Sequence, residues 1–149
     1  MKFFKYISPF IYFMFLCYVV FFTSGRFSNH YNNEINFIPI KNSIHTFLTL
    51  NKNDRREFYD FYLNLFGNII LFLPFAFILR SAFNIGKLKP VLLLTILLSA
   101  AIEMVQYIFQ IGLADIDDII LNTIGAIIGF FLYRIFIRLD FTSLLKQAN

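Results

Sequence analysis

Residues 91–110 read VLLLTILLSAAIEMVQYIFQ, an apolar run of membrane-spanning length interrupted by one acid, Glu103. About 20 consecutive apolar residues suffice to cross the hydrocarbon core of a bilayer as a helix. In hydrocarbon the backbone must satisfy its own hydrogen bonds, so the run reads as a helix and not as a strand. A carboxylate inside such a helix costs roughly 2.5–3.5 kcal/mol on insertion scales, so it needs a partner, a proton or water. Glu103 therefore calls for polar neighbours on other helices.

Working outward, three further apolar spans cover about 6–23, 61–79 and 116–137, with a loop of about 24–60 between the first two. The expected fold is an all-α membrane protein: one domain over 1–149, with about four transmembrane helices in a small bundle. Hydrophobic residues make up 58% of the 149, and the mean hydropathy of +0.67 exceeds that of a soluble domain. The formal net charge is +4. The basic residues are scattered among apolar spans, and the densest pair, Arg55-Arg56, is flanked by Asp54 and Glu57. This charge reads as membrane topology and excludes a nucleic-acid patch. Cys17 is the single cysteine, so no intramolecular disulfide can form, and it reads as inert packing. The first span has a basic start, Lys2 and Lys5, and a small-residue patch at Thr23-Ser24-Gly25. It is long, crowded with Phe and Tyr and lacks an A-x-A site, so it reads as a retained helix and not as a cleaved signal peptide. A content of 22 Phe and no Trp points to an AT-rich, low-GC bacterial genome.

Lys and Arg set the orientation. Lys2 and Lys5, then Arg80, Lys87 and Lys89, then Arg134, Arg138 and Lys146 mark the two termini and the second loop, whereas 112–115 carries no basic residue. Both termini are expected in the cytoplasm, with the first and third loops outside. The stretch 42–58 mixes Ile, Phe and Leu with charge and suits the membrane interface.

A helix rises 1.5 Å per residue, which places Glu103, Asn68 and Asn122 each about 10 Å below the outer boundary, and Asn64 and Asp118 about 5 Å below it. Asn64 with Asn68, Glu103 with Gln106, and Asp118 with Asn122 and Gly125 each share a helix face. Three helices thus offer polar stripes at one level, and an acidic and amide pocket is expected from Asn64, Asn68, Glu103, Gln106, Asp115, Asp118 and Asn122. Gly125 and Gly129 form a G-x-x-x-G spacing for close helix packing. With Ser99, Ala100 and Ala101 on the third span, they are expected to let Asn122 reach Glu103. Pro74 cannot donate to the carbonyl of Ile70 and is expected to kink its helix and widen a cavity on the outer side. The plainer alternative is that the asparagines only hold helices together, at about 0.6 kcal/mol per bond. Asp115 suits the N-cap of the fourth helix. Asp115 and Asp118 are also weak candidates for a hard cation, Mg²⁺ or Ca²⁺; no cofactor is otherwise expected. His30 and His45 have no partner at ligand spacing and read as loop residues.

Four pieces in order resemble the VanZ-like membrane proteins, whose namesake is associated with teicoplanin resistance in Gram-positive bacteria. Asn36-Phe37-Ile38-Pro39 resembles the family's N-L-x-P element. Asn64, Gly67-Asn68, Phe72 and Pro74 resemble its N-x-x-G-N-x-x-x-F-x-P segment. Glu103 and Gln106 match E-x-x-Q, and Asp115, Asp118, Asn122, Thr123 and Gly125 match D-x-x-D-x-x-x-N-T-x-G. Ala76 and Ala126 stand where many members have glycine, and Gly112 stands where a subset has arginine.

The resemblance implies a bacterial plasma-membrane setting more than a mechanism; within that setting the polar residues are expected to form an outer-leaflet pocket that binds an amphipathic ligand, such as a lipid-linked envelope precursor or a lipoglycopeptide. Its Phe-rich walls would meet membrane lipids and acyl chains. The alternatives are a cation-dependent enzyme acting on a lipid phosphate, with Glu103 as base, and a small proton-coupled transporter, which with four helices would require a homo-oligomer. No nucleophile or cluster of basic residues stands at the depth of the pocket, so the non-enzymatic reading is preferred.

Overall fold

The computed structural model describes residues 2–20, 38–50, 54–109 and 114–147. Five helices follow in order: α1 Lys2–Tyr18, α2 Lys41–Thr49, α3 Arg55–Phe83, α4 Leu88–Ile108 and α5 Ile116–Gln147. Among the described residues three stretches are long and apolar enough to cross a membrane: α3, α4 and residues Ile116–Ile137 of α5. Within α1 the apolar part, Ile7–Tyr18, is shorter, and 21–23 of the expected first span lie outside the described residues.

Helix ends follow capping chemistry more closely than hydropathy. Asp54 accepts from the amides of Arg56 (2.9 Å) and Glu57 (3.4 Å), so α3 starts six residues before the apolar run at 61. It ends at Asn84, in the left-handed region (φ 58°), where Ile85 donates to Leu79 and Asn84 to Arg80. Of the stretch expected along the interface, 42–49 lie in α2 and 55–58 open α3, while 51–53 lie outside the described residues. The last helix continues ten residues past the expected end at 137.

α3 is the hub. It packs most extensively against α5, and it also touches α1 and α4; α4 packs on α5. The core joins Leu16 and Val20 from the first segment to Phe72, Phe75, Ala76 and Leu79 of α3, Val91 of α4, and Ala126 and Phe130 of α5. The α3–α5 contact is close because of two glycines. A methyl group added at Gly125 or Gly129 would overlap the backbone carbonyls of Ile69 or Leu73, so the two backbones meet almost directly. One more turn along, Phe77 meets Tyr133 edge to face at 5.2 Å. The pairs Ile69–Gly125, Leu73–Gly129 and Phe77–Tyr133 keep a constant sequence offset, so α3 and α5 run parallel.

α3 stays one helix through Pro74. Beside it, the Tyr12 hydroxyl donates to the Leu71 carbonyl (3.1 Å) and its ring stacks on Phe75 (6.0 Å between centroids), which ties α1 to α3.

The patterning is that of a helix bundle in lipid. α4 exposes Leu93, Ile96, Leu97, Met104 and Ile108 and buries Thr95, Ser99, Glu103 and Gln106. A soluble helix shows the reverse. Exposed Phe, Ile and Leu side chains cover the other helices in the same way, far beyond what a monomer presents to water.

Candidate functional site: an acidic and amide cluster at the head of α5

Four-residue spacing puts Thr95, Ser99 and Glu103 on one stripe of α4, continued by Gln106, and this stripe faces the bundle interior. Thr95 satisfies its own hydroxyl on the Val91 carbonyl (2.8 Å). Glu103 is 6% exposed, and its Oε2 accepts the amide of Asp115 (2.9 Å), immediately before α5 begins. A carboxylate is favourable at that point, because the first amides and the helix dipole present positive charge.

The acids at the head of α5 separate by task. Asp115 caps its own helix, accepting the Asp117 amide on Oδ1 (2.9 Å). Asp117, 5% exposed, accepts from the Ile40 and Ser43 amides and from the Ser43 hydroxyl. Ile40 is in the left-handed region at φ 66°, so these bonds clamp the tight entry into α2. Asp118 faces α3, where Asn68 Nδ2 donates to its Oδ1 (2.7 Å) and Asn64 adds a second side-chain bond. One turn deeper, Asn122 donates through Nδ2 to Ser99 Oγ (2.7 Å). Asn122 is 3% exposed, and its Oδ1 has no hydrogen-bond partner among the described residues.

The structure therefore joins Asn64, Asn68 and Asp118 in one group and Glu103 with Asp115 in another. Gln106 is buried on the Glu103 face. Asn122 does not hydrogen-bond Glu103, contrary to the expectation from small-residue packing. Gly125 and Gly129 turn that face of α5 toward α3, and Asn122 meets Ser99, one turn from Glu103 along α4. Sequence reasoning passed over Ser99 and Asp117 as polar partners. The four-residue series Thr95, Ser99, Glu103 was a usable signal for the first. No local signal marked the second, whose partners are more than 70 residues away.

Two grooves lie elsewhere. One of about 280 Å³ is lined by Arg80, Gly86, Tyr133 and Arg134 among others, and one of about 330 Å³ by Arg55, Phe58, Tyr59 and Tyr62. Neither includes the acidic cluster. Among the described residues no three His, Cys, Asp or Glu side chains gather as a metal-binding set. What the cluster offers is acceptors: four carboxylates committed to amides and one buried amide oxygen without a donor among the described residues.

A family model described as VanZ/LLP1 matches residues 9–137, most of the chain. The chain belongs to the VanZ/LLP1 family. Protein VanZ of Enterococcus faecium is 38% identical over 69 residues, 46% of this chain. The match spans 43% of that relative's length. No solved structure matches the chain. The matched VanZ/LLP1 region takes in the Tyr12 contact, the glycine contact and all of the acidic cluster, as well as both arginines of the 280 Å³ groove.

Proposed function

We propose that this VanZ/LLP1 membrane protein is a multi-pass protein of a Gram-positive plasma membrane that binds the polar part of an amphipathic envelope molecule at the acidic and amide cluster. By this action it contributes to glycopeptide resistance of the teicoplanin type or to the handling of an envelope lipid. The observation that carries the reading is Asn122 Oδ1, a buried acceptor without a donor among the described residues, held one turn from Glu103 inside an apolar bundle. An unpaired buried acceptor costs about 1–3 kcal/mol, which a hydroxyl or ammonium group of a ligand would relieve. Buried intramembrane acids mark functional sites more often than packing, because a neutral residue packs at lower cost. The lipid-facing Phe, Ile and Leu surface suits the ligand's acyl part.

The test is a susceptibility comparison in a low-GC Gram-positive host. The parent chain, Glu103→Gln and Asn122→Leu are expressed at matched membrane levels, and minimum inhibitory concentrations are measured for teicoplanin and vancomycin. A teicoplanin-selective increase with the parent, lost in both variants, is the expected result. No increase with the parent removes the resistance reading; an increase that both variants retain removes the cluster from it.

A further inference from the structure

At the opposite end of the bundle from the acidic cluster, the 280 Å³ groove brings together two arginines from different helices. Arg80 ends α3, and Arg134 lies on α5 level with Ile78, as the constant offset between these parallel helices requires. Among the described residues Arg80 donates from Nη1 alone, to Asn84 Oδ1 (2.9 Å) and to the Asn84 carbonyl (3.3 Å). Its Nε and Nη2 therefore donate to no acceptor among the described residues. Arg134 makes no hydrogen bond among them either; its guanidinium lies 5.8 Å from the centroid of the Phe130 ring. The residues lining the groove include no Asp or Glu. Two oriented guanidiniums thus share a concavity with no acid in its lining and with most of their donors unspent.

The rest of the lining fits the same kind of guest. Tyr133 adds a hydroxyl, while Ile85 and Phe130 give an apolar floor. Gly86 brings the backbone against the Arg80 guanidinium, where a methyl group would crowd Nη1. Just beyond it α4 begins at Leu88 without a side-chain cap, leaving its first amides directed at this end of the bundle. Guanidinium forks and uncapped helix amides both favour phosphate oxygens. A position where the apolar helices give way to cations is where a lipid headgroup lies.

We propose that the groove between Arg80 and Arg134 binds the phosphate of an anionic lipid headgroup, with Arg80, Arg134 and Tyr133 contacting the phosphate and Phe130 and Ile85 contacting the glycerol and first methylenes. This site is independent of the acidic cluster and of the function proposed for it.

The test uses the purified full chain in neutral detergent, with bound lipid counted by native mass spectrometry. The probes are phosphatidylglycerol, phosphatidylcholine and inorganic phosphate, each at equal concentration. The parent is expected to retain phosphatidylglycerol over phosphatidylcholine. Arg80→Gln and Arg134→Gln should each weaken that retention about fivefold, and the double variant should abolish the preference. Gly86→Leu, which fills the groove and keeps both charges, should lower it as well. Arg55→Gln, at the other end of the bundle, should leave it unchanged. Thermal unfolding of each variant without lipid confirms that the fold is intact. Equal retention of both lipids by the parent overturns the proposal, as does a preference that survives in the double variant. Inorganic phosphate that displaces phosphatidylglycerol as well as the lipid itself does would assign the groove to free phosphate and overturn the lipid assignment.

Discussion

Gly125→Ala puts the α3–α5 contact to a direct test. The added methyl would meet the carbonyl oxygen, carbonyl carbon and Cα of Ile69, and none of these can rotate away as a side-chain tip can. Carbon–oxygen contacts between close helices lie near 3.3–3.6 Å, and the methyl would fall about 1 Å inside that distance. α5 must therefore move off α3 by about that much. A gap of 0.5–1 Å forfeits roughly a quarter to a half of each dispersion contact it opens. Overpacking of this kind costs about 1–3 kcal/mol. For a chain of this size that corresponds to a fall in Tm of roughly 3–10 °C, read by circular dichroism in detergent. Gly129→Ala meets the Leu73 carbonyl in the same way, and the double variant should lose less than the sum, because the first separation relieves the second. Gly67→Ala is the matched control. It lies in α3 with nothing within 4 Å of its new Cβ, so it should gain helix propensity, by up to about 1 kcal/mol. A Gly125→Ala protein that melts with the parent, or a Gly67→Ala protein that loses as much, would refute the close-contact reasoning.

Three further outcomes are expected. Asp117→Ala removes the acceptor of three bonds to the start of α2, and amide exchange at Ile40 and Ser43 should quicken about tenfold while the Tm of the bundle changes little; unchanged exchange would show that α2 is held by other contacts. Asn122→Leu gives up one bond to Ser99 but also removes an unpaired oxygen, so its stability should stay within about 1 kcal/mol of the parent, whereas Asn68→Leu deprives Asp118 of a donor and should cost about 1–3 kcal/mol; equal melting of the two variants would contradict this. In a Cys17→Ser background, Ala114→Cys should react with an impermeant thiol reagent added to intact cells, and labelling only after lysis would reverse the expected orientation.

The helices were legible because apolar runs of the right length leave few alternatives, and Glu103 stood out because an acid in such a run demands a neighbour. Their ends were less legible. Asp54 and the left-handed Asn84 stop α3 by local hydrogen bonding, which hydropathy does not register. Depth arithmetic brought Asn64, Asn68 and Asp118 together correctly, since α3 and α5 run parallel from the same end. It failed for Asn122 and Glu103 because the count placed them at one level, whereas Glu103 meets the Asp115 amide at the head of α5 and Asn122 lies about a turn deeper, beside Ser99. Ser99 was legible as a small packing residue but not as a hydrogen-bond partner, and Thr95 not at all, because small hydroxyls hardly disturb an apolar run. The clamp from Asp117 to Ile40 and Ser43 joins segments far apart in sequence, and no periodicity connects them.

The glycine contact has a weakness built into its spacing. Two glycines four residues apart repeat after one helical turn, so sliding α5 by one turn along α3 would still leave one glycine seated in a notch made for the other. Backbone packing alone thus discriminates poorly between neighbouring registers. Asp118 shares the weakness, since Asn64 and Asn68 are also one turn apart, but the bonds that Asp117 accepts from Ile40 and Ser43 have no such repeat, and a one-turn slip would break all of them together. The acidic head of α5 acts as an end stop for a sliding joint. Any ligand or substitution that loosens it should widen the set of registers the two longest helices sample, before it unfolds either of them.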